Sequence, residues 1–297
     1  MAKIAFIGLG TMGLPMARLL VAGGHAVAGY DLDAAACEQH VENGGSTATS
    51  AADAASEADF VFTMVTNSNH VRAALFGKDG AVQAMSASTL FVDMSTIHPL
   101  ESDAVRAELA THNIGMVDAP VGRTSLHAIE GKLLVMVGAQ PEQLKRVRPL
   151  LALLGDTIVD CGGPGMGTRM KMINNFMSIV NNVVTAEALT LAESIGLDVD
   201  LAIDVMSGTA AGQGHMTTTY AAKVLQGDLT PAFMLQLAHK DLGLALDLAA
   251  QMGVPVPLGA AAREMYTLAR GQGRGAQDWT AIYSMLRELA HVDNADR

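Results

Sequence analysis

The stretch Ile4-Ala5-Phe6-Ile7-Gly8-Leu9-Gly10-Thr11-Met12-Gly13 decides how the first half of this chain folds. Its four apolar residues favour a buried strand, and a helical pattern, Leu14–Val21, follows the last glycine. Gly8, Gly10 and Gly13 therefore form G-x-G-x-x-G between a strand and a helix. In this setting the first glycine permits a tight turn, the second lets a pyrophosphate approach the backbone, and the third allows close packing of helix on strand.

Two further features of this region favour a dinucleotide ligand. The N–H groups of Thr11 and Met12 are predicted to face the phosphates at the positive end of the helix dipole. Asp31 ends the next predicted strand, 18 residues after Gly13. A carboxylate there accepts hydrogen bonds from ribose hydroxyls and repels a 2′-phosphate, so we expect NAD as cofactor, with NADH preferred over NADPH. The alternative is an ordinary strand-end or helix-cap aspartate.

The chain divides into an alternating half, residues 1–162, and a helical half, residues 163–297. The predicted strands are Ile4–Gly8, Ala26–Asp31, Phe60–Val65, Leu90–Ser95, Met116–Val121, Leu133–Gly138 and Thr157–Cys161. Strands joined by crossover helices form a doubly wound, mostly parallel sheet, so the predicted fold class is α/β with an all-α second domain. The second half is predicted to hold a long helix to about Ile195, then Val199–Ser207, Phe233–Gln251, Leu258–Gly271 and Trp279–Ala290.

Two strand ends at the carboxyl edge of the predicted sheet carry further candidate residues. Val65 and Thr66 stand at the end of one strand, and Thr96 follows another. Doubly wound folds bind ligands at this edge, so all three are candidate cofactor contacts. Each could instead be a turn or cap residue.

A second candidate site lies where the helical half begins. Lys171, Asn174, Asn175 and Ser178 stand at offsets of zero, three, four and seven, which fall on one helix face after the glycine-rich Gly162–Gly167. The face could be solvated. However, the intervening residues are apolar and predict a mostly buried helix, so we expect the polar face to meet a ligand pocket or a subunit contact. These apolar residues are Met170, Met172, Ile173, Phe176, Met177, Ile179 and Val180.

Composition excludes several classes of partner. A formal net charge of −11 argues against nucleic acid and against an anionic membrane surface. Cys37 and Cys161 are far apart, which fits a reducing compartment, and no metal-ligand spacing is present. With no secretory signal and no apolar run long enough to span a membrane, we expect a soluble, cytoplasmic protein. The histidines considered for proton transfer are His98, His127, His215 and His239.

Four segments of the chain carry the pattern of a known family: Phe6–Leu19, Asp118–Gly138, Gly162–Asn175 and Lys240–Asp247. Together they resemble the β-hydroxyacid dehydrogenase family, which includes 3-hydroxyisobutyrate dehydrogenase and tartronate semialdehyde reductase. The resemblance implies an N-terminal Rossmann domain, a helical C-terminal domain and a homo-oligomer, a dimer or tetramer. It also implies that Lys171 is catalytic with Asn175 beside it, and that Lys240 reaches the nicotinamide end of the site.

One short segment departs from the pattern of that family. After Val121 the family usually has Ser-Gly-Gly, whose hydroxyl and amides hold a substrate carboxylate, whereas this chain has Gly122, Arg123 and Thr124. Arg123 supplies a fixed fork of donors suited to an anion with several oxygens. We expect the segment to bind the substrate together with Asn174, Asn175 and Ser178. The alternative is that Arg123 pairs with an acidic surface neighbour such as Glu130.

These features predict an NADH-linked reductase of a small anionic aldehyde, reversible as an alcohol dehydrogenase. We expect a three-carbon aldehyde whose anionic head is a sulfonate, and a carboxylate head is the alternative. A protein of another class, a non-catalytic NAD-binding module, remains the alternative, although such a module has no need of the amine of Lys171.

Overall fold

The computed structural model describes residues 1–194, 196–208, 214–215, 219–251 and 257–292. They form two compact units, Met1–Lys171 and Met172–Arg297. The predicted domain boundary between residues 162 and 163 stays a prediction. Among the described helices, none combines the length and the apolar character that crossing a membrane requires.

The first unit alternates strands and helices along the chain. Its strands are β1 (Lys3–Ile7), β2 (Ala26–Tyr30), β3 (Ser46–Thr47), β4 (Phe60–Thr63), β5 (Leu90–Asp93), β6 (Gly115–Asp118), β7 (Val121–Gly122), β8 (Leu134–Gly138) and β9 (Thr157–Gly162). Its helices are α1 (Gly13–Ala22), α2 (Ala34–Glu42), α3 (Ala51–Ala55), α4 (Ser68–Phe76), α5 (Pro99–Thr111), α6 (Ser125–Glu130) and α7 (Pro141–Leu154).

These strands form one mostly parallel sheet, which confirms the predicted fold class. Its order is β3-β2-β1-β4-β5-β6-β8-β7, and β9 pairs with β8. The strands from β3 to β6 are parallel, whereas β8 is antiparallel to β6 and β7. The carboxyl ends of β1, β2, β4, β5 and β6 therefore lie at one edge, which brings the predicted cofactor residues of this unit to the same side of the sheet.

Alternating side chains of each central strand pack on opposite faces of the sheet. In β1, Ile4 and Phe6 join a cluster with residues of α1 and α7, whereas Ala5 and Ile7 join a second cluster with residues of α3, α4 and α5. Strands buried on both faces have near-continuous apolar sequences, which explains why β1, β4 and β5 could be predicted.

The predicted strand Met116–Val121 is wrong as a single element. The structure divides it into β6 and β7 around Pro120, which has no N–H to donate to a neighbouring strand. The carbonyl of Pro120 accepts a hydrogen bond from the Met136 backbone, so the segment stays beside β8.

Side chains cap three helices that follow strands at the carboxyl edge of the sheet. Asp33 accepts a hydrogen bond from the Ala35 N–H and begins α2, and Asn67 accepts one from the His70 N–H and begins α4. His98 caps α5, whose first residue is Pro99. These residues satisfy N–H groups that lack partners within their helices, and they fix where each loop ends.

The second unit is helical in its described residues, as predicted. Helix α8 (Met166–Ser194) contributes residues to both units, and α9 (Val199–Ser207), α10 (Leu235–Gln251), α11 (Pro257–Gly271) and α12 (Ala281–Leu289) follow. The fully buried rings of Tyr220, Tyr266 and Tyr283 are part of its core. Buried Asp278 accepts hydrogen bonds from the N–H groups of Ala232, Phe233 and Thr280, which joins the segments before α10 and α12.

Candidate active site

The glycine turn after β1 has the geometry of a phosphate-binding loop. Gly8 has a φ of +96°, and a Cβ atom on Gly13 would lie 1.9 Å from the Gly8 carbonyl oxygen, so both positions require glycine. In the described part of the chain, no acceptor receives the N–H groups of Thr11 or Met12. These donors precede the first turn of α1, so they fit the phosphates of a dinucleotide.

Asp31 lies beside this turn, as predicted. Its Oδ2 accepts a hydrogen bond from the Leu9 N–H at 2.6 Å, and its Oδ1 accepts one from the Asp33 N–H at 2.9 Å. Each carboxylate oxygen can accept more than one hydrogen bond, so ribose hydroxyls can still bind. An adjoining groove of about 680 Å³ has three acidic residues and no basic residue in its lining, which consists of Tyr30, Asp31, Leu32, Ala34, Cys37, Glu38, Val41, Glu42, Thr47, Ala48 and Thr49.

A buried carboxyl group organises the ends of β4 and β5. Asp93 Oδ1 accepts hydrogen bonds from Thr63 Oγ1 at 2.9 Å and from the Ser95 N–H at 3.0 Å. Ser95 Oγ in turn accepts the Val65 N–H at 3.0 Å, so the Val65 carbonyl is the group that this residue can offer a ligand. Burial raises the pKa of Asp93 to about 6. Sequence reasoning did not identify Asp93 as part of this site.

The remaining cofactor candidates of this edge lie near the same network. Thr66 is exposed just after Val65, and Thr96 is half-buried next to Ser95. The structure therefore brings the ends of β4 and β5 together at the edge where β1 enters the glycine turn.

Asp118 fixes the start of the helix that carries Lys171. The Gly165 N–H donates to its Oδ1 at 2.6 Å, and the Thr168 N–H donates to its Oδ2 at 2.8 Å. Burial raises the pKa of Asp118, and these two N–H donors act in the opposite direction. Lys171 follows Thr168 by three residues and is half-buried. Asp118 is thus a second buried carboxylate that sequence reasoning did not assign to the site.

Helix α8 places Lys171, Asn174, Asn175 and Ser178 on one face, as their offsets predict. Asn175 is buried, Ser178 is half-buried and Asn174 is exposed. The Asn174 Nδ2 lies 3.4 Å from the Asn175 Oδ1.

The prediction that α8 is mostly buried is wrong for a second, apolar face of the helix. Met170 is 47 % exposed, Ile173 is 61 % exposed and Met177 is 63 % exposed. Their apolar character had suggested burial in the core, but the core of this chain covers only part of the helix. An exposed apolar stripe of this kind marks a contact surface.

In the second unit, a carboxylate joins two of the predicted site residues. Asp241 Oδ2 accepts a hydrogen bond from Asn175 Nδ2 at 2.7 Å, and Lys240 Nζ lies 2.9 Å from Asp241 Oδ1. Asp241 is 3 % exposed, so this charge is held inside the unit against an amide and an ammonium group. Asp241 was not predicted as a site residue. Its position next to Lys240 in an apolar helix was the available signal.

The Gly122-Arg123-Thr124 segment links β7 to α6. Gly122 is buried, and Thr124 begins α6 in a capping box with His127, whose Nδ1 accepts the Thr124 N–H at 3.4 Å. Arg123 has a φ of +73°, and its guanidinium donates to Asp156 Oδ1 at 2.6 Å, to the Lys132 carbonyl and to Thr157 Oγ1 at 3.3 Å.

Arg123 does have an acidic neighbour, but the neighbour is Asp156. Glu130 instead pairs with Lys132 at 3.0 Å. Whether Arg123 binds an anionic substrate stays a prediction.

The four histidines considered for proton transfer all have structural partners. His98 and His127 cap helices, His215 Nε2 contacts the Ser178 carbonyl, and His239 lies between Thr267 Oγ1 and Arg270 Nη1. Burial lowers the pKa of His215 and of His239, so both rings favour the neutral form. Within the ranges that the structure describes, no three His, Cys, Asp or Glu side chains form a group able to hold a metal.

Comparison with known proteins covers nearly the whole chain. Residues 3–163 match the family model of the NAD binding domain of 6-phosphogluconate dehydrogenase, and residues 165–286 match that of the NAD-binding domain of NADP-dependent 3-hydroxyisobutyrate dehydrogenase. The chain is 51% identical over 290 residues to 3-sulfolactaldehyde reductase of Escherichia coli K12, covering 98% of this chain and 97% of that protein.

More distant relatives share the same architecture. The chain is 34% identical over 295 residues to an NAD-dependent L-serine dehydrogenase of Pseudomonas aeruginosa, covering 96% of this chain and 98% of that protein. A solved structure of Mycobacterium tuberculosis 3-hydroxyisobutyrate dehydrogenase with L-serine superposes with a TM-score of 0.89 at 34% identity, covering 97% of this chain and 99% of that one.

Proposed function

Because this chain belongs to the β-hydroxyacid dehydrogenase family, of the 3-hydroxyisobutyrate dehydrogenase type, we propose that it is an NADH-dependent reductase of 3-sulfolactaldehyde. The product is 2,3-dihydroxypropane-1-sulfonate, and the reaction belongs to sulfoquinovose breakdown. The observation that carries the proposal is the 51% identity to 3-sulfolactaldehyde reductase across 98% of the chain. The family's enzymes are oxidoreductases of CH–OH groups, so the alternative of a non-catalytic module is set aside.

The proposed chemistry assigns one role to each group on the polar face of α8. When bound, NADH supplies the hydride that reduces the carbonyl carbon. Lys171 donates a hydrogen bond to the carbonyl oxygen as negative charge develops there, and then donates the proton that completes the alcohol. Asn175, held by Asp241, orients the same oxygen. Asn174 and Ser178, on the same helix face, bind the anionic head with Arg123 and the loop residues Gly122 and Thr124.

The proposed preference for NADH rests on Asp31 and its surroundings. The 2′-phosphate of NADPH would meet the Asp31 carboxylate beside a groove that also presents Glu38 and Glu42. Basic residues that recognise a 2′-phosphate are missing from the lining of that groove. Lys240 is proposed to lie at the nicotinamide end, and the Val65 carbonyl, Thr66 and Thr96 are proposed to contact the cofactor.

We propose that the chain forms a homo-oligomer through α8. Five apolar residues of this helix are between 44 and 63 % exposed and are spaced by four, three, four and seven, which forms a continuous stripe. Burying this stripe against a second copy removes it from water. A cytoplasmic location is proposed as well, since both cysteines are unpaired. The stripe consists of Met166, Met170, Ile173, Met177 and Val184.

The deciding experiment compares sulfonated and carboxylated aldehydes of similar size with purified protein and NADH. We expect a higher kcat/KM for 3-sulfolactaldehyde than for tartronate semialdehyde or succinic semialdehyde. The opposite order would assign the chain to a carboxylate substrate, such as 3-hydroxyisobutyrate or one of these semialdehydes.

A loop variant tests the residues behind that selectivity. Replacing Gly122 with Ser and Arg123 with Gly restores the family's usual loop. We expect kcat/KM for the sulfonated aldehyde to fall about 10- to 100-fold, as expected for losing a hydrogen bond to a charged group. Activity on a carboxylated aldehyde should fall less. Gly122→Ser alone is the control, and equal losses on both substrates would remove Arg123 from the basis of selectivity.

A further inference from the structure

Arg123 has a backbone conformation that glycine would adopt at lower cost. Its φ of +73° lies in the left-handed region, where a side chain clashes with its own backbone. The guanidinium must therefore make interactions that offset this strain. It does so entirely within the first unit, with residues at the starts of β8 and β9.

Three of the five guanidinium N–H groups are used by these contacts. Nη1 donates to the Lys132 carbonyl and to Asp156 Oδ1, and Nη2 donates to Thr157 Oγ1. Thr157 Oγ1 also donates to Asp156 Oδ1 at 2.8 Å, so the two acceptors lie side by side at the end of the guanidinium. The plane of the guanidinium is thereby fixed by three acceptors.

Two donors remain on the other edge of the same group. The Nε–H and the second Nη2–H have no partner among the residues that the structure describes. They point the same way from a planar guanidinium and form the fork that receives two oxygens of an oxyanion. The Arg123 side chain is 33 % exposed, so the guanidinium is not closed off from solvent.

Asp156 is the only charged partner of Arg123 among the described residues. The hydrogen bond from the Thr157 hydroxyl lowers the pKa of Asp156 most, and the hydrogen bond from the Arg123 guanidinium lowers it further. The carboxylate therefore stays ionised at neutral pH. Of the three acceptors, only Asp156 is charged, so it both attracts and orients the guanidinium. Removing it leaves two neutral acceptors and a more mobile guanidinium.

We propose that Asp156 is a positioning residue, which orients Arg123 so that its Nε–Nη2 edge faces the sulfonate of the substrate. The proposal rests on the proposed function, because it names the group that prepares the sulfonate site. Asp156 does not contact the substrate in this proposal. It acts through Arg123, so its loss should weaken substrate binding and leave the hydride and proton transfers unchanged.

The test is Asp156→Ala measured beside Glu130→Ala. Glu130 is a matched control, since it is similarly exposed, lies near the same loop and pairs with Lys132 and not with Arg123. We expect Asp156→Ala to raise the KM for 3-sulfolactaldehyde about two- to fivefold, the range for an exposed ion pair, with kcat unchanged. Glu130→Ala should leave both constants unchanged. Thermal melting checks that both variants are folded.

A double-mutant cycle shows whether Asp156 acts through Arg123. In an Arg123→Gly background, Asp156→Ala should cause no further rise in KM. A further rise of the same size would overturn the proposal, because Asp156 would then act by another route. A lower KM in the single variant would also overturn it, since Asp156 would then compete with the substrate for Arg123.

The result also separates this proposal from the proposed function. If the wild-type protein reduces 3-sulfolactaldehyde but Asp156→Ala and Glu130→Ala behave alike, the positioning role is wrong and the proposed function stands. If the wild-type protein does not reduce 3-sulfolactaldehyde, the proposed function is wrong and the role of Asp156 falls with it.

Discussion

Replacing the buried Asp93 by Asn should change how the stability of the protein depends on pH. Asp93 is 1 % exposed, and its Oδ1 accepts hydrogen bonds from Thr63 Oγ1 and the Ser95 N–H. An asparagine has the same shape and its Oδ1 can accept both bonds. The substitution therefore removes a titrating group from the network and leaves its geometry in place.

The magnitude follows from the pKa of the buried carboxyl group. Burial raises the pKa of Asp93 from 3.8 to about 6, and at 1.36 kcal/mol per pKa unit this is worth about 3 kcal/mol. Well below pH 3.8 the group is protonated in both the folded and the unfolded chain. As the pH rises, the unfolded chain loses this proton first, so the folded protein loses stability until the pH has passed through 6.

Urea unfolding of the cofactor-free protein at pH 5 and pH 8 measures this difference. Roughly half of the 3 kcal/mol develops in that interval, so the free energy of unfolding of Asp93→Asn relative to wild type should rise by about 1.5 kcal/mol. Asp79→Asn, at an exposed position, is the control and should show no such change. A difference between Asp93→Asn and wild type that stays constant from pH 5 to pH 8 would refute this account of Asp93.

Three further variants test the proposed site. Lys171→Ala should lower kcat by about two to four powers of ten while the Kd for NADH, from a fluorescence titration, changes little; near wild-type turnover would remove Lys171 from the mechanism. Asp31→Ala combined with Leu32→Arg should lower the ratio of kcat/KM with NADH to kcat/KM with NADPH about tenfold or more. A ratio near one in the wild-type protein would contradict the role of Asp31. Asp241→Ala should lower kcat about tenfold by releasing Asn175, whereas Asp247→Ala, exposed on the same helix, should stay within about twofold of wild type.

The parts of the fold that could be predicted are those with a local sequence signal. The buried strands β1, β4 and β5 are short apolar runs, and the glycine turn has a spacing that only a strand, turn and helix explain. Strand β3, with two residues, was missed because it is too short to have a pattern. Helix α8 was predicted, but its exposed apolar stripe was not, since apolar residues in a core and in a subunit contact look alike in sequence.

The buried carboxylates were missed for a different reason. Each of these three carboxylates accepts a hydrogen bond from a residue at least 30 positions away in the chain: Asp93, Asp118 and Asp241. The spacing of apolar residues, from which helices and strands are predicted, does not reveal such distant partners. In sequence, each is an acidic residue at a strand end or beside a lysine, where capping or surface exposure is the common explanation. In the folded protein, Asp93 binds Thr63, Asp118 binds the start of α8, and Asp241 binds Asn175.

The environment of Arg123 follows from strand register, which the sequence does not reveal. Proximity in the chain favoured Glu130 as its partner, seven residues away. In the sheet, however, Gly122 pairs with Leu134, and Leu134 pairs with Thr157, so the residue after Gly122 lies near the start of β9. Asp156 and Thr157 are thereby brought to Arg123 across two strand pairings, and Glu130 is left with Lys132. The selectivity proposed for this loop thus depends on the Arg123–Asp156 ion pair, which forms only because of the strand pairing in the sheet. A change in the β8–β9 register would separate Arg123 from Asp156 without altering a residue of the proposed substrate site.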